Sequence, residues 1–295
     1  MAIVHYGTSM RDDERRARLY AGELILLPVT PEGLDLCAHA REMLEEAFHP
    51  LDPRTAQHEM DVRAYAALLA TLKPAFIHHP ESKRLIQALL EAVGCDLNET
   101  HFDVPRLRSS TSDDYLTTGI AFAFHPHRDT WYSAPSSQLN WWLPVYPLED
   151  DNGIAFFMDY ARRSVENSSS CYDYARWNAT SRFQAANHVG QDTREQPVPL
   201  EEVEIGSELR PLVEPGSLIV FSGNQLHASV PNTSGVTRFS VDFRTVNAED
   251  AKLGRGAELV DVACTGSSIG DFLNGTTLER LPEDLVRRYE DGELR

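Results

Sequence analysis

The chemistry-bearing residues of this chain begin with two side chains one residue apart. His127 and Asp129 lie in Ala121-Phe122-Ala123-Phe124-His125-Pro126-His127-Arg128-Asp129-Thr130-Trp131. Read as the end of an apolar strand, residues two apart project to one face, so a neutral imidazole and a carboxylate point the same way. They make two-thirds of a 2-His-1-carboxylate face, the arrangement that leaves three adjacent positions on a ferrous ion for a chelating cosubstrate and O2. The third ligand must come from elsewhere, and His227 is the candidate. It follows Pro215-Gly216-Ser217-Leu218-Ile219-Val220-Phe221-Ser222-Gly223-Asn224-Gln225-Leu226, an apolar strand and a tight turn. His125 shares the face of His127 and Asp129 and would allow a His-x-His alternative. An iron site wants a carboxylate, so His125 is assigned to packing around the centre.

Arg238 lies eleven residues beyond His227, with Ser240 on the same strand face. A guanidinium fork beside a hydroxyl suits the far carboxylate of a dicarboxylic acid, through charge-assisted bonds. Arg244 competes for that role, but it lies six residues further on and reads as an ordinary salt-bridge partner. Trp131 and Tyr132, just after Asp129, are candidates to wall the substrate side.

The elements that must position these groups change texture along the chain. The first third reads as helical: Pro31 to Phe48, capped by Thr30 with Pro31 at the first helical position, then Ala56 to Leu72 and Glu81 to Val93. Beyond about residue 100 the apolar runs become short, aromatic and β-branched: Ile120–Phe124, Leu139–Tyr146, Ile154–Met158, Ser217–Phe221 and Arg238–Val246. Turn residues separate them, including Asp151-Asn152-Gly153, Pro215-Gly216 and Asn232-Thr233-Ser234-Gly235. Short strands punctuated this way predict a β-sandwich or barrel. A long polar insert over residues 161–210 interrupts it, a length that usually marks a lid or a disordered segment. The tail carries one short helix near Pro282–Tyr289. The expectation is one domain spanning residues 1–295, with a helical support over 1–100, a β core over 101–250 and a tail over 251–295.

From about Thr117 to Val246 the chain resembles the double-stranded β-helix core of the Fe(II)/2-oxoglutarate-dependent dioxygenases, and most of all their phytanoyl-CoA dioxygenase-like branch. The resemblance implies a mainly β fold with flanking helices: a jelly-roll, cupin-like core, N-terminal helices and a long lid insert. It implies His127, Asp129 and His227 as catalytic iron ligands, with Arg238 and Ser240 on the C5 carboxylate of 2-oxoglutarate. Ser229 matches a position that lines the cosubstrate pocket. Trp142 falls where the family often has a Trp near 2-oxoglutarate, and Asn140 shares its face. The Asn152-Gly153 turn is typical of the branch, whereas the family's upstream basic contact to the cosubstrate has no clear counterpart. Halogenating relatives replace the acidic ligand with Gly or Ala, so Asp129 points to hydroxylation, desaturation or ring closure. The implied cofactors are Fe(II), 2-oxoglutarate and O2.

The insert carries Tyr172, Tyr174, Arg176, Trp177, Asn178, Arg182, Gln184 and His188. Aromatic faces among hydrogen-bonding groups suit a small polar metabolite better than a long acyl chain, and Trp177 is a candidate substrate contact. By analogy with bacterial members of the family, natural-product biosynthesis is the expected setting. Two other classes remain open: a metal-dependent cupin-like enzyme that does not use 2-oxoglutarate, and a non-catalytic barrel used for binding.

Composition narrows the partners. With 27 Lys and Arg against 45 Asp and Glu, the net charge of −18 opposes a nucleic-acid or anionic-membrane surface. No stretch approaches the length of a membrane span, and Met1 to Arg18 lacks the apolar core of a secretory signal. Cys37, Cys95, Cys171 and Cys264 form no CxxC pair, so a reducing cytoplasm is expected. Oligomeric state is not legible.

Overall fold

A computed structural model describes residues 3–7, 10–204 and 208–295; residues 205–207 of the expected insert lie outside them. In chain order the elements are β1 (Val4–Tyr6), α1 (Asp12–Tyr20), β2 (Leu24–Leu27), α2 (Pro31–Phe48), α3 (Val62–His78), α4 (Pro80–Ala92), β3 (Thr100–Phe102) and β4 (Arg106–Ser110). There follow β5 (Leu139–Pro144), β6 (Ile154–Phe156), α5 (Tyr174–Thr180), β7 (Leu218–Ser222), β8 (His227–Ser229), β9 (Arg238–Asn247), α6 (Ala248–Leu253), β10 (Leu273–Asn274) and α7 (Glu283–Glu290).

The major sheet runs β1-β2-β7-β5-β9-β3-β10, with β4 also paired to β9, and β6 pairs with β8 in a second small sheet. Apart from the parallel β1–β2 pair, the ladders are antiparallel. A backbone bridge between His127 and His227 extends the small sheet to the loop that carries the other two expected ligands. This is a jelly-roll-type core flanked by helices.

Period-two alternation decides what each strand shows to each side. On β5, Leu139, Trp141 and Leu143 join the main core beneath the helices, as do Phe239, Val241 and Phe243 of β9. Leu36, Leu44, Leu69, Phe76, Leu85 and Leu89 meet them from α2, α3 and α4. Each such side chain contributes roughly 1.5–3 kcal/mol by leaving water. The opposite faces of β5, β7 and β9 turn inward, where Trp142, Ile219 and Phe221 pack with Ile154 and Phe156 of β6. The same alternation therefore points Asn140, Arg238, Ser240, Asp242 and Arg244 into the interior.

Helix α2 begins as its sequence dictates: the Thr30 hydroxyl accepts from Gly33 N–H at 3.0 Å, and Pro31 opens the helix. Two expectations change. The segment from Ala56 is one 3-10 turn, Ala56–His58, and the helix proper starts after Asp61, whose carboxylate accepts from the backbone N–H of Arg63 and Ala64. The expected strand Ile120–Phe124 is a 3-10 turn at Gly119–Ala121 followed by irregular chain. Gly119, at φ +60°, turns the backbone out of the extended region, and an added Cβ would lie 2.3 Å from the Ala185 carbonyl oxygen.

The insert is ordered by α5 and short 3-10 turns, and it docks on the core rather than extending from it. Gly119 N–H donates to the Asp192 carboxylate at 3.0 Å, and the Thr118 hydroxyl donates to the His188 carbonyl at 2.8 Å. No helix among the described residues is long and apolar enough to cross a membrane.

Candidate metal centre

His127, Asp129 and His227 come together although they do not share a strand. His127 pairs with His227 across the bridge, each N–H donating to the other's carbonyl, at 2.9 and 3.0 Å. Asp129 opens the 3-10 turn Asp129–Tyr132, so a turn rather than strand alternation aims its carboxylate. One ligand atom from each residue lies within 4.8 Å of the others. Asp129 Oδ1 is 3.6 Å from His127 Nε2 and 3.9 Å from His227 Nε2.

Both imidazoles are held alike. His127 Nδ1 lies 2.8 Å from the His125 carbonyl oxygen and His227 Nδ1 lies 2.8 Å from that of Gln225. A carbonyl accepts only, so each Nδ1 donates, which leaves the Nε2 lone pairs free for a metal. Burial, with His127 alongside, pulls the His227 pKa down to about 3 and keeps it neutral. The Asp129 carboxyl is held well below the usual carboxylate range: burial acts against this, and His127, Arg244 and His227 outweigh it. Two imidazole nitrogens and an ionised carboxylate are the donor set that ferrous iron takes.

The second oxygen of Asp129 is fully engaged. Gln138 Nε2 and Asn140 Nδ2 each donate to Oδ2 at 2.9 Å, and Arg244 Nε stands 3.7 Å away. Arg244 is anchored in turn by Asp103, at 3.2 Å. With Oδ2 saturated, Oδ1 is the oxygen presented beside the imidazoles.

Arg238 and Ser240 lie inward on β9, with Arg238 Nη1 donating to the Ser240 hydroxyl at 2.9 Å. The guanidinium sits 5.5 Å from the centre of the Trp142 ring. Its Nε is buried and has no hydrogen-bond partner among the described residues. Burial, together with the charge of Arg108, lowers its pKa to about 10. An orphaned donor on a desolvated cation is what a bound carboxylate would satisfy, so the residues present fit 2-oxoglutarate as well as iron.

The remaining expected residues divide. Ser229 follows His227 by two on β8, and its backbone N–H donates to the Phe124 carbonyl. Tyr132 stands 5.6 Å from the His127 ring and 5.4 Å from that of Tyr172, and Trp177 continues the row 5.7 Å beyond Tyr172. Asn140 is brought to Asp129 rather than to Arg238. Trp131 does not wall open space: it is fully buried with Phe157, Tyr160 and Val165, and its indole N–H donates to Asp261 at 2.8 Å. The 3-10 turn after Asp129 rotates it away from Tyr132. His125 is exposed and serves the site through its carbonyl.

Sequence reasoning missed Gln138 altogether and gave Arg244 only a generic role. The one available signal was Gln138's place two residues before Asn140, on the same face of an extended segment. Arg128, between His127 and Asp129, was also missed. Fully buried, it donates to Asp261 at 3.0 Å and to the carbonyls of Tyr160 and Arg163, and it also bonds that of Asn224.

A jelly-roll core that gathers two imidazoles, one carboxylate and an inward arginine defines the non-haem iron, 2-oxoglutarate-dependent oxygenases. Residues 29–240 match the family described as Phytanoyl-CoA dioxygenase (PhyH), and the chain belongs to that family. It is an oxidoreductase of the dioxygenase type that uses iron and 2-oxoglutarate. No match is found among curated proteins. Among solved structures the chain is similar to EvdO2 from Micromonospora carbonacea var. aurantiaca, with 13% identity, 84% of this chain and 94% of that one covered, and a TM-score of 0.45. It is similar also to SnoN, an α-ketoglutarate-dependent epimerase from nogalamycin biosynthesis, with 14% identity, 80% and 84% covered, and a TM-score of 0.39. AviO1 from Streptomyces viridochromogenes Tue57 shows 14% identity, 81% and 97% covered, and a TM-score of 0.39.

Proposed function

We propose that His127, Asp129 and His227 hold the ferrous ion, that Arg238 and Ser240 hold the distal carboxylate of 2-oxoglutarate beside Trp142, and that the enzyme oxidises a C–H bond of a small polar metabolite in natural-product biosynthesis. Hydroxylation, desaturation and ring closure are all outcomes of that chemistry. The observation that carries the reading is the pairing of a buried Nε2/Oδ1/Nε2 face with an orphaned guanidinium Nε that β9 turns into the same interior.

Iron with its cosubstrate supplies the oxidising power, coupling O2 reduction and 2-oxoglutarate decarboxylation to removal of substrate hydrogen. The chain supplies geometry. The His125 and Gln225 carbonyls fix the imidazoles. Gln138 and Asn140 restrict Asp129 to one presented oxygen. Tyr132 donates its hydroxyl to the Pro197 carbonyl and so ties the insert over the site, which limits the access of water. We treat residues 161–210 as this lid, built into one domain with the core, in a cytoplasmic protein.

The test is Fe(II)-dependent succinate release from 2-oxoglutarate. His127→Ala, Asp129→Ala and His227→Ala are each expected to abolish it with the fold retained by circular dichroism, and a chelator should do the same to the wild type. Arg238→Ala is expected to raise the 2-oxoglutarate requirement about tenfold or more while iron still binds. Activity surviving in any ligand variant removes that residue from the set. Normal turnover by Arg238→Ala would favour a cupin-like enzyme that does not use 2-oxoglutarate.

A further inference from the structure

The inner wall beside the metal centre carries more guanidinium than it can neutralise. Strand pairing sets Arg106 opposite Asp242 and Arg108 opposite Ser240, so both arginines share the inward face of Arg238, Ser240, Asp242 and Arg244. Asp242 accepts from Arg108 through both oxygens, at 2.6 and 3.3 Å, and lies 3.8 Å from Arg244. Asp103 accepts from Arg244 at 3.2 Å and also bonds Arg106 Nη1. Four guanidinium groups thus face two wall carboxylates, Asp103 and Asp242. Loaded with ferrous iron and the dianionic cosubstrate, the centre that includes Asp129 carries one net negative charge, which offsets one surplus cation. One cation remains.

The surplus falls on Arg106. Both hydrogen bonds of its side chain, to Asp103 and to the Val104 carbonyl, are made by Nη1. Its Nε and Nη2, the edge that forms a two-bond fork with a carboxylate, have no hydrogen-bond partner among the described residues. The side chain keeps 22% of its surface exposed. Burial, with Arg244 close by, pulls its pKa below the usual arginine value even though Asp103 is in contact. A desolvated cation with a free bidentate edge is a receptor for a planar anion.

We propose that the Nε/Nη2 edge of Arg106 anchors the substrate through a single free carboxylate, which makes the substrate class small monocarboxylic metabolites, free amino acids among them. The assignment rests on the iron and 2-oxoglutarate reading above and narrows it. It assigns Arg238 and Arg106 to different carboxylates, those of cosubstrate and substrate.

The probes are acetate with acetamide, benzoate with benzamide, glycine with glycinamide, and inorganic phosphate. Each is titrated calorimetrically into protein loaded with 2-oxoglutarate and with Co(II), which replaces Fe(II) to prevent turnover. The wild type is expected to bind at least one acid about tenfold or more tightly than its amide. Arg106→Gln should bring that ratio close to one, and Arg106→Lys, which keeps the charge without the fork, should restore part of it. Equal binding of acids and amides, no binding of any acid, or a preference that survives in Arg106→Gln overturns the proposal. Phosphate binding more tightly than every carboxylate overturns the carboxylate assignment. Failure of the underlying reading looks different: the wild type then neither takes up Co(II) nor releases succinate from 2-oxoglutarate with Fe(II).

Discussion

The two oxygens of Asp129 have separate tasks. Oδ1 faces the imidazoles, while Oδ2 is taken by Gln138 and Asn140 at 2.9 Å each. A carboxylate free to rotate would offer either oxygen, or both, and would spoil the three-position opening that the chemistry needs. Gln138 also donates to Asn140 Oδ1 at 2.9 Å, so the two amides form one rigid unit. Gln138→Leu is therefore expected to weaken Co(II) or Fe(II) binding about ten- to a hundredfold, measured by competition with a chelator, with little change in the apo-protein's melting temperature. Unchanged affinity would show that Asn140 and Arg244 hold the carboxylate without help. The clustering of His127, Asp129 and His227 was legible because residue type and spacing carry the signal: a His-x-Asp at the close of an apolar run and a lone His after another. Gln138 was not legible. A glutamine before a strand has many structural uses, and only the 3-10 turn at Asp129–Tyr132, invisible as a pattern, brings the carboxylate to it.

At the scale of elements, the sequence spoke clearly where one face is buried and the other is not. The buried–inward alternation of Leu139–Pro144 and Arg238–Asn247 and the apolar run Leu218–Ser222 were read to within a residue or two, as was helix α2. The short charged strand Arg106–Ser110 was missed because its inward face carries arginines where a pattern search expects apolar side chains. The run Ile120–Phe124 misled for the opposite reason: it is apolar, but Gly119 turns it, and its phenylalanines meet edge to face with ring centres 5.0 Å apart instead of pairing into a sheet. Helix α3 joins these two misread pieces. Lys73 Nζ donates to the Ser109 hydroxyl on β4 at 3.0 Å and to the Ile120 carbonyl at 2.5 Å. Burial, with Arg108 adding to it, pulls this amine down to about 7. Its folded value thus lies below its unfolded one, so between the two the unfolded chain binds the extra proton. The penalty for burying the charge is complete below pH 7 and is relieved as pH rises. Urea unfolding from about pH 7 to about pH 8.5 should therefore show the wild type gaining up to about 2 kcal/mol more than Lys73→Met. Identical pH slopes would mean that Lys73 stays charged when folded.

Across the whole molecule, the centre is assembled from segments that meet only through their packing. Arg128 binds the ligand loop to the turn before His227, to the start of the insert and to Asp261 near the C-terminal end. The insert returns the contact further along: Asp192 accepts from Gly119 N–H, and Arg194 donates to both the Gly119 carbonyl and Asp192. Gly119 lies eight residues before His127, so the docking of the insert and the placement of that imidazole share one stretch of backbone. Gly119 also has no room for a larger residue. A Cβ there would meet the carbonyl oxygens of Ala185 and His188 at 2.3 and 2.5 Å, both of them backbone atoms, at a φ of +60°. Gly119→Ala must therefore strain the turn or push the insert away, and the insert is the weaker party because no residue of α5 is buried. The expected result is faster tryptic cleavage after Arg182 or Arg194, by about fivefold or more, since release of a segment held by a few hydrogen bonds costs on the order of 1–3 kcal/mol. The helices and the major sheet should stay protected, because α2–α4 and strands β5, β7 and β9 share one buried core to which the insert adds the partly buried Val189. Cleavage at the wild-type rate would show that the turn absorbs the methyl group and that the insert is not held through Gly119. Cleavage spreading into α2–α4 would show that lid and core open as one unit.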